Sequence, residues 1–239
     1  MSAPLTRQTA ASTAEAGEAQ KFDRPQLDGD YVAPEGDIER TLAGFWQELL
    51  GVSADGRVGT FCWNTSRHLE LYLAAPCTGR VLHTLNIRLH PYQLVYVAEH
   101  AGDEVVFVDR SLLPLFWPHV DRLPGVAHVV VLDDGADVAV PDDPRIRSYE
   151  ELLAAAEPYA GRFVVDDEHT AAAMCYTSGT TGNPKGVMYH HRGAYLQALA
   201  MVGHTGLTAS SVHLWTLPMF HCNGWCFPWA VTAAAATHV

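Results

Sequence analysis

The sequence predicts an α/β fold, a mostly parallel sheet with flanking helices, on three observations. Short apolar runs alternate along the chain with segments of helical periodicity, the pattern of βαβ units. The run Val126 to Leu132 is rich in valine, as a strand buried on both faces must be. Finally, the apolar stretch Ala171 to Tyr176 ends in a Gly- and Thr-rich run. That puts a turn beyond the carboxyl end of a strand, where open α/β sheets bind their ligands.

Taken in order, residues 1–30 are Ala-, Thr-, Glu- and Gln-rich with little apolar periodicity and are expected to form a disordered tail. Ile38, Leu42, Phe45 and Leu49 fall on one face of an amphipathic helix within 31–52 that stops at Gly51. The remaining chain, 53–239, carries the sheet. Val58–Trp63 reads as a strand, Arg67–Ala75 as a helix, Val81–Leu85 as a strand, Pro91–His100 as a helix and Glu104–Val108 as a strand. Ser148-Tyr-Glu-Glu151 opens a further helix with a capping box, in which the serine side chain accepts a backbone N–H and the glutamate reaches back.

Composition excludes several classes of function. The chain has 239 residues, 48% of them hydrophobic, enough for a substantial core. Its formal net charge of −12, without a basic cluster, argues against nucleic acid as a partner. The N-terminus lacks the apolar stretch of a secretory signal, and no apolar run approaches the length of a membrane span. Five scattered cysteines do not read as a disulfide framework, and a cytoplasmic location is expected.

The chemistry concentrates in Tyr176-Thr-Ser-Gly-Thr-Thr-Gly-Asn-Pro-Lys-Gly-Val187. Four Ser/Thr hydroxyls, three glycines and one lysine fall within these residues. Glycine lets the backbone approach a ligand closely, and consecutive N–H groups in such a turn form a nest for phosphate. The hydroxyls add donors and Lys185 adds a positive charge; the only other lysine is Lys21. The run is neither a Walker A loop, since Gly186 follows Lys185 where Ser or Thr is needed, nor a G-x-G-x-x-G fingerprint. A plain surface turn would use the same small residues but has no need of stacked hydroxyls beside a lysine.

Over all these positions the run resembles the phosphate-binding signature of the adenylate-forming (AMP-binding) superfamily. Val187-Met-Tyr-His-His-Arg-Gly-Ala-Tyr195 and Leu214-Trp-Thr-Leu-Pro-Met-Phe-His-Cys-Asn-Gly-Trp225 are similar to its acyl-CoA synthetase branch, near the short- and medium-chain or aryl acid activating enzymes. Arg57 to His68 and Val81-Leu-His-Thr-Leu-Asn86 continue the likeness, which covers the chain from about Arg57 onward. The resemblance implies part of the large N-terminal domain of an adenylate-forming enzyme. It also implies a two-step reaction: a carboxylic acid attacks the α-phosphate of ATP, and the thiol of coenzyme A then takes the acyl group from the acyl-adenylate.

In that chemistry the protein positions groups and neutralises developing charge. By the resemblance Thr177, Ser178, Gly179, Thr180, Thr181 and Gly182 hold the departing phosphates, and Lys185 assists electrostatically. Mg²⁺ bridges phosphate oxygens. His221, Asn223, Gly224 and Trp225 match the stretch that lines the acyl pocket, with His221 beside the reacting carboxylate and Trp225 as an apolar wall. His191-Arg192 matches a family pair just after the loop. A zinc set of His190, His191, Cys222 and Cys226 has the right ligand types but not the paired spacing of zinc knuckles.

Two other readings stand beside the ligase. Lys21-Phe-Asp-Arg-Pro-Gln-Leu27 and the helix up to Val52 resemble the junction between a peptide-synthetase adenylation domain and its carrier domain, although Gln20 stands where glycine is expected. A non-catalytic nucleotide-binding protein would also keep the loop. The family's later elements (the acidic adenine-contacting motif, the ribose-binding Asp, the hinge and the small C-terminal domain) are not found after Trp225. A truncated domain with little turnover of its own, prone to associate through an exposed sheet edge, is therefore expected.

Overall fold

The computed structural model describes residues 50–156, 163–177 and 182–239. The expected tail and the helix bearing Ile38, Leu42, Phe45 and Leu49 lie outside these residues, as do Lys21 and the junction-like segment around it.

The strands are β1 (Arg57–Phe61), β2 (Val81–Thr84), β3 (Asp103–Asp109), β4 (His128–Leu132), β5 (Ile146–Ser148), β6 (Ala171–Thr177) and β7 (Lys185–His190). They form one sheet in the order β5-β4-β3-β1-β2-β6-β7. Every pairing is parallel except β6 with β7, which is antiparallel. Helix α1 (Ser66–Cys77) links β1 to β2, and α2 (Pro91–Ala101) links β2 to β3. The short α3 (Leu113–Phe116) lies between 3₁₀ turns after β3, and α4 (Tyr149–Ala155) follows β5. Beyond β7 come α5 (His191–Thr205), the small parallel pair β8 (Val212–His213) and β9 (Thr237–His238), and α6 (Phe227–Ala233) between them.

Period-two geometry explains the core. Val106 and Val108 of β3, with Val129 and Val131 of β4, pack with the α2 residues Leu94, Val97 and Ala98. Their neighbours in sequence, Val105, Phe107, Val130 and Leu132, point the other way and meet Leu71 and Tyr72 of α1 and Tyr149 of α4. Successive side chains in a strand face opposite sides of the sheet. A sheet covered on both faces therefore needs continuous apolar strands, and the valine run supplied one.

Local signals set most helix starts. Thr65 caps α1, its side chain accepting the His68 N–H at 3.1 Å. Ser148 caps α4 by accepting from the Glu151 N–H at 3.3 Å, as the capping box predicts. Gly102 ends α2 in the left-handed conformation, φ 74°, the usual helix stop.

Candidate functional site

The Gly/Thr-rich run closes a hairpin between β6 and β7. Thr177, the last residue of β6, pairs with Lys185, the first of β7. The run thus leaves the sheet at the carboxyl end of β6 and returns antiparallel. Of the predicted phosphate ligands, Thr177, Gly182 and Lys185 are all exposed. Lys185 makes no ion pair with another described residue. Ser178, Gly179, Thr180 and Thr181 lie outside the described residues.

At the root of this loop is a cavity of about 120 Å³. Thr177, Tyr176 and Pro184 form one wall, Thr84 of β2 another, and His221 and Cys222 a third. The fold therefore brings Thr177 and His221, forty-odd residues apart in sequence, to one opening. Trp225 lines a different, larger cavity of about 350 Å³, with Met188, Tyr189, Gly193 and Ala194 from β7 and α5. It is 55% exposed, an apolar wall open to solvent. Of the predicted acyl-pocket residues, His221 and Trp225 thus line different cavities, while Asn223 and Gly224 are buried and line neither.

The segment carrying them has an unusual backbone. Cys222, Asn223, Gly224, Trp225 and Cys226 all have positive φ, between 48° and 63°. Left-handed helical residues other than glycine are disfavoured by roughly 1–2 kcal/mol each, and they normally occur singly. The surroundings hold this turn in place. Asn223 is fully buried and its side-chain oxygen accepts from the Thr84 hydroxyl at 2.9 Å. The Gly224 N–H donates to the His221 carbonyl at 3.1 Å. Upstream, Asn64 accepts the Met219 N–H at 2.7 Å and donates to the Leu217 carbonyl at 3.0 Å, while the Tyr72 hydroxyl donates to the Met219 carbonyl. Gly224 cannot be replaced without strain, because an added Cβ would lie 3.0 Å from Pro228 Cδ. A strained turn over-determined by its neighbours is a mark of functional sites. Here it sets the imidazole Nε2 of His221 3.4 Å from Cys222 Sγ.

Behind the cavity runs a line of buried polar side chains not expected as site residues. His83 of β2 and Asp103 of β3 are separated in the sheet by β1, yet His83 Nδ1 lies 2.8 and 2.9 Å from the two Asp103 carboxylate oxygens. Two features allow this. A register shift in the β1–β3 pairing advances β3 from Asp103 to Val105 against one step of β1 and re-aims the aspartate. The intervening residue is Gly59, where a Cβ would sit 3.1 Å from Asp103 Oδ2. Both partners are fully enclosed, and burial raises the Asp103 carboxyl above its ordinary range. The His83 ring lies 5.3 Å from that of Tyr176, whose hydroxyl meets His100 Nδ1 at 2.7 Å. Burial pushes the Tyr176 phenol up. These groups brace the residue that precedes Thr177. The sequence signal was a histidine inside the apolar strand Val81–Leu85, legible as unusual but not as half of a pair.

His190 caps α5, its Nδ1 accepting the Gly193 N–H at 2.7 Å. Arg192 pairs with Glu168 at 3.0 Å. Among the described residues no three His, Cys, Asp or Glu side chains converge as a metal site. Of the loop's described residues, Thr177 offers the hydroxyl that could face a phosphate-bound Mg²⁺; such an ion is held mainly by water and phosphate oxygens.

These features define the class: a parallel-sheet α/β protein with a hydroxyl-rich hairpin loop at the carboxyl edge of its sheet. The AMP-binding enzyme family model matches residues 40–239, and the chain belongs to that family. It is 41% identical over 192 residues to the 3-methylmercaptopropionyl-CoA ligase of Ruegeria lacuscaerulensis, a match covering 80% of this chain and 35% of that protein. It is 43% identical over 193 residues to the long-chain-fatty-acid–CoA ligase of Thermus thermophilus, covering 80% and 34%. The chain therefore spans about a third of the length of these curated relatives. Among solved structures, a long-chain-fatty-acid–CoA ligase of Archaeoglobus fulgidus superposes with a TM-score of 0.69 at 24% identity, over 84% of this chain and 38% of that one. An anthranilate–CoA ligase in complex with anthranoyl-AMP gives 0.68 at 21% identity over the same shares. At these identities the structures establish the fold.

Proposed function

We propose that this chain carries the phosphate-binding and part of the acyl-binding machinery of an acyl-CoA ligase, which joins a fatty or aryl carboxylic acid to coenzyme A through an acyl-adenylate made from ATP. The observation that carries the reading is the meeting of Thr177 and His221 at one cavity beneath the β6–β7 loop. A carboxylate beside His221 would stand near phosphates gathered by Thr177, Ser178, Gly179, Thr180, Thr181 and Gly182. Positioning of this kind is most of what an in-line displacement at phosphorus asks of a protein.

In this reading Lys185, exposed at the loop's far stem, neutralises charge on the leaving pyrophosphate. Trp225 bounds the larger cavity, which takes the acyl group, while Asn223 and Gly224 fix the turn. ATP with Mg²⁺ and coenzyme A are the co-substrates. Names of relatives support the reaction class: 3-methylmercaptopropionyl-, long-chain- and medium-chain-fatty-acid–CoA ligases. We place the protein in the cytoplasm, with five cysteines all free. Among the described residues no helix is long and apolar enough to cross a membrane.

The test is calorimetric titration of the chain with pyrophosphate and with MgATP. Binding is expected, weakened about tenfold or more by Lys185→Ala, which removes one charge-assisted contact to the anion. Equal binding by the variant, or none by the parent chain, would overturn the assignment of the loop.

A further inference from the structure

We infer that Cys222 is a reactive thiol and the modification site of this protein for small uncharged carbon electrophiles, haloacetamides and α,β-unsaturated carbonyl compounds among them. The inference does not rest on ligase activity. It comes from how differently the fold treats the five cysteines.

Cys222 lies in the left-handed turn, half-buried, with its sulfur 3.4 Å from His221 Nε2. A thiol reacts as its thiolate, and a neighbouring imidazole is the commonest group to take its proton. Cys222 also opens onto the cavity that Thr177 and His221 share, so a reagent has somewhere to sit. A second observation marks that cavity as built for a small occupant. His83 also lines it, is fully buried, and has its Nε2 without a hydrogen-bond partner, while Asp103 holds the other ring nitrogen. A buried polar atom left unpaired is uncommon and points to a missing ligand or water.

Of the remaining thiols, Cys62, Cys175 and Cys226 are buried, Cys175 although it lines the same cavity, and Cys77 is half-buried like Cys222 but lines neither cavity. Cys62 is fully buried, and its thiol donates to the Phe107 carbonyl oxygen at 3.4 Å. Desolvation pushes up the thiols of Cys62, Cys77 and Cys175, and that of Cys226 to about 11. None of these four has an imidazole nitrogen as a hydrogen-bond partner among the described residues.

In the step itself the Cys222 thiol gives its proton to His221 Nε2, and the sulfur attacks the electrophilic carbon. With a haloacetamide a carbon–sulfur bond forms as the carbon–halogen bond breaks, and halide leaves. The resulting thioether occupies the opening between Thr177 and His221, so modification closes the way to the root of the phosphate loop.

Iodoacetamide labelling of the whole chain, followed by peptide mass mapping, tests this. Each cysteine's rate in the folded protein is divided by its own rate in the chain unfolded in urea, which cancels intrinsic differences. Cys222 is expected to react at least about fivefold faster folded than unfolded, and the other four more slowly folded than unfolded. A folded rate for Cys222 at or below its unfolded rate overturns the proposal, as does faster labelling of Cys77. His221→Asn is expected to return Cys222 to its unfolded rate. Retained protection of Cys62 in that variant shows that the fold is intact; an activated Cys222 in a folded His221→Asn chain also overturns the proposal.

Discussion

His68 is fully buried between the Thr60 hydroxyl, 3.0 Å from Nε2, and the Trp63 carbonyl, 2.9 Å from Nδ1. Desolvation lowers its pKa to about 4 from an ordinary 6.5, so the folded protein holds the imidazole neutral. Unfolding lets it take a proton. The stability tied to the neutral ring is therefore complete above pH 6.5 and is lost as pH falls toward 4, in total about 3 kcal/mol. Asp109 has the opposite sign. It accepts the Trp63 N–H at 2.7 Å, yet burial raises its carboxyl to about 6 from 3.8. The fold disfavours the carboxylate, so this group adds stability as pH falls from 6 toward 3.8. Across pH 4–6 the two residues largely offset one another, and variants should separate them. Asp109→Asn, which keeps an acceptor for Trp63, is expected to stabilise the chain at pH 7 by about 2 kcal/mol and to have little effect at pH 4. His68→Gln is expected to leave the Asp109 contribution unopposed, so that stability rises as pH falls from 6 toward 4. Urea unfolding across this range checks both; parallel curves for parent and variants would contradict the assignment.

At the scale of elements, reading the sequence succeeded where one local rule governed and failed where distant groups did. Helix α2 and strands β3 and β4 were legible from apolar periodicity, and α4 from its capping box, because each signal lies within a few residues. Strand β7 was not: Lys185–His190 is mostly exposed and begins inside the Gly-rich run, so it lacks the pattern of a core strand. The turn at Cys222–Cys226 was also illegible, since its left-handed backbone depends on Asn223 reaching Thr84 across more than a hundred residues. The loop's chemistry was readable from residue types alone, but the His83–Asp103 pair required the strand order. Gly59→Ala tests how that pair is housed. The new methyl would press on Asp103 and Val106, and a loss of about 1–3 kcal/mol is expected in urea unfolding. Ala235 provides the converse case. It is exposed beyond the end of α6 with φ 52°, so Ala235→Gly is expected to stabilise by about 1 kcal/mol. A destabilised Ala235→Gly chain would show that the positive φ carries no strain.

At the scale of the whole molecule, the sheet has two edges with different protection. The β5 edge is only three residues long, Ile146–Ser148, and carries Arg147; short, charged strands are poor templates for pairing. The β7 edge has six residues, with Val187 38% and Met188 42% exposed. Nearby on α5, Tyr195, Leu196 and Leu199 are 64%, 53% and 45% exposed. Apolar side chains beside an edge strand favour association with another copy, whereas the net charge of −12 opposes it. The balance is testable because salt acts on one side only. Screening shortens the reach of charge repulsion to about 8 Å at 0.15 M ionic strength but leaves apolar contact intact. Sedimentation velocity is therefore expected to show association that strengthens with both protein concentration and salt, and that Val187→Lys abolishes by placing a charge on the β7 edge. Association that weakens with salt would assign it to ion pairs instead, and a monomer under all conditions would show that this edge is protected in the folded chain.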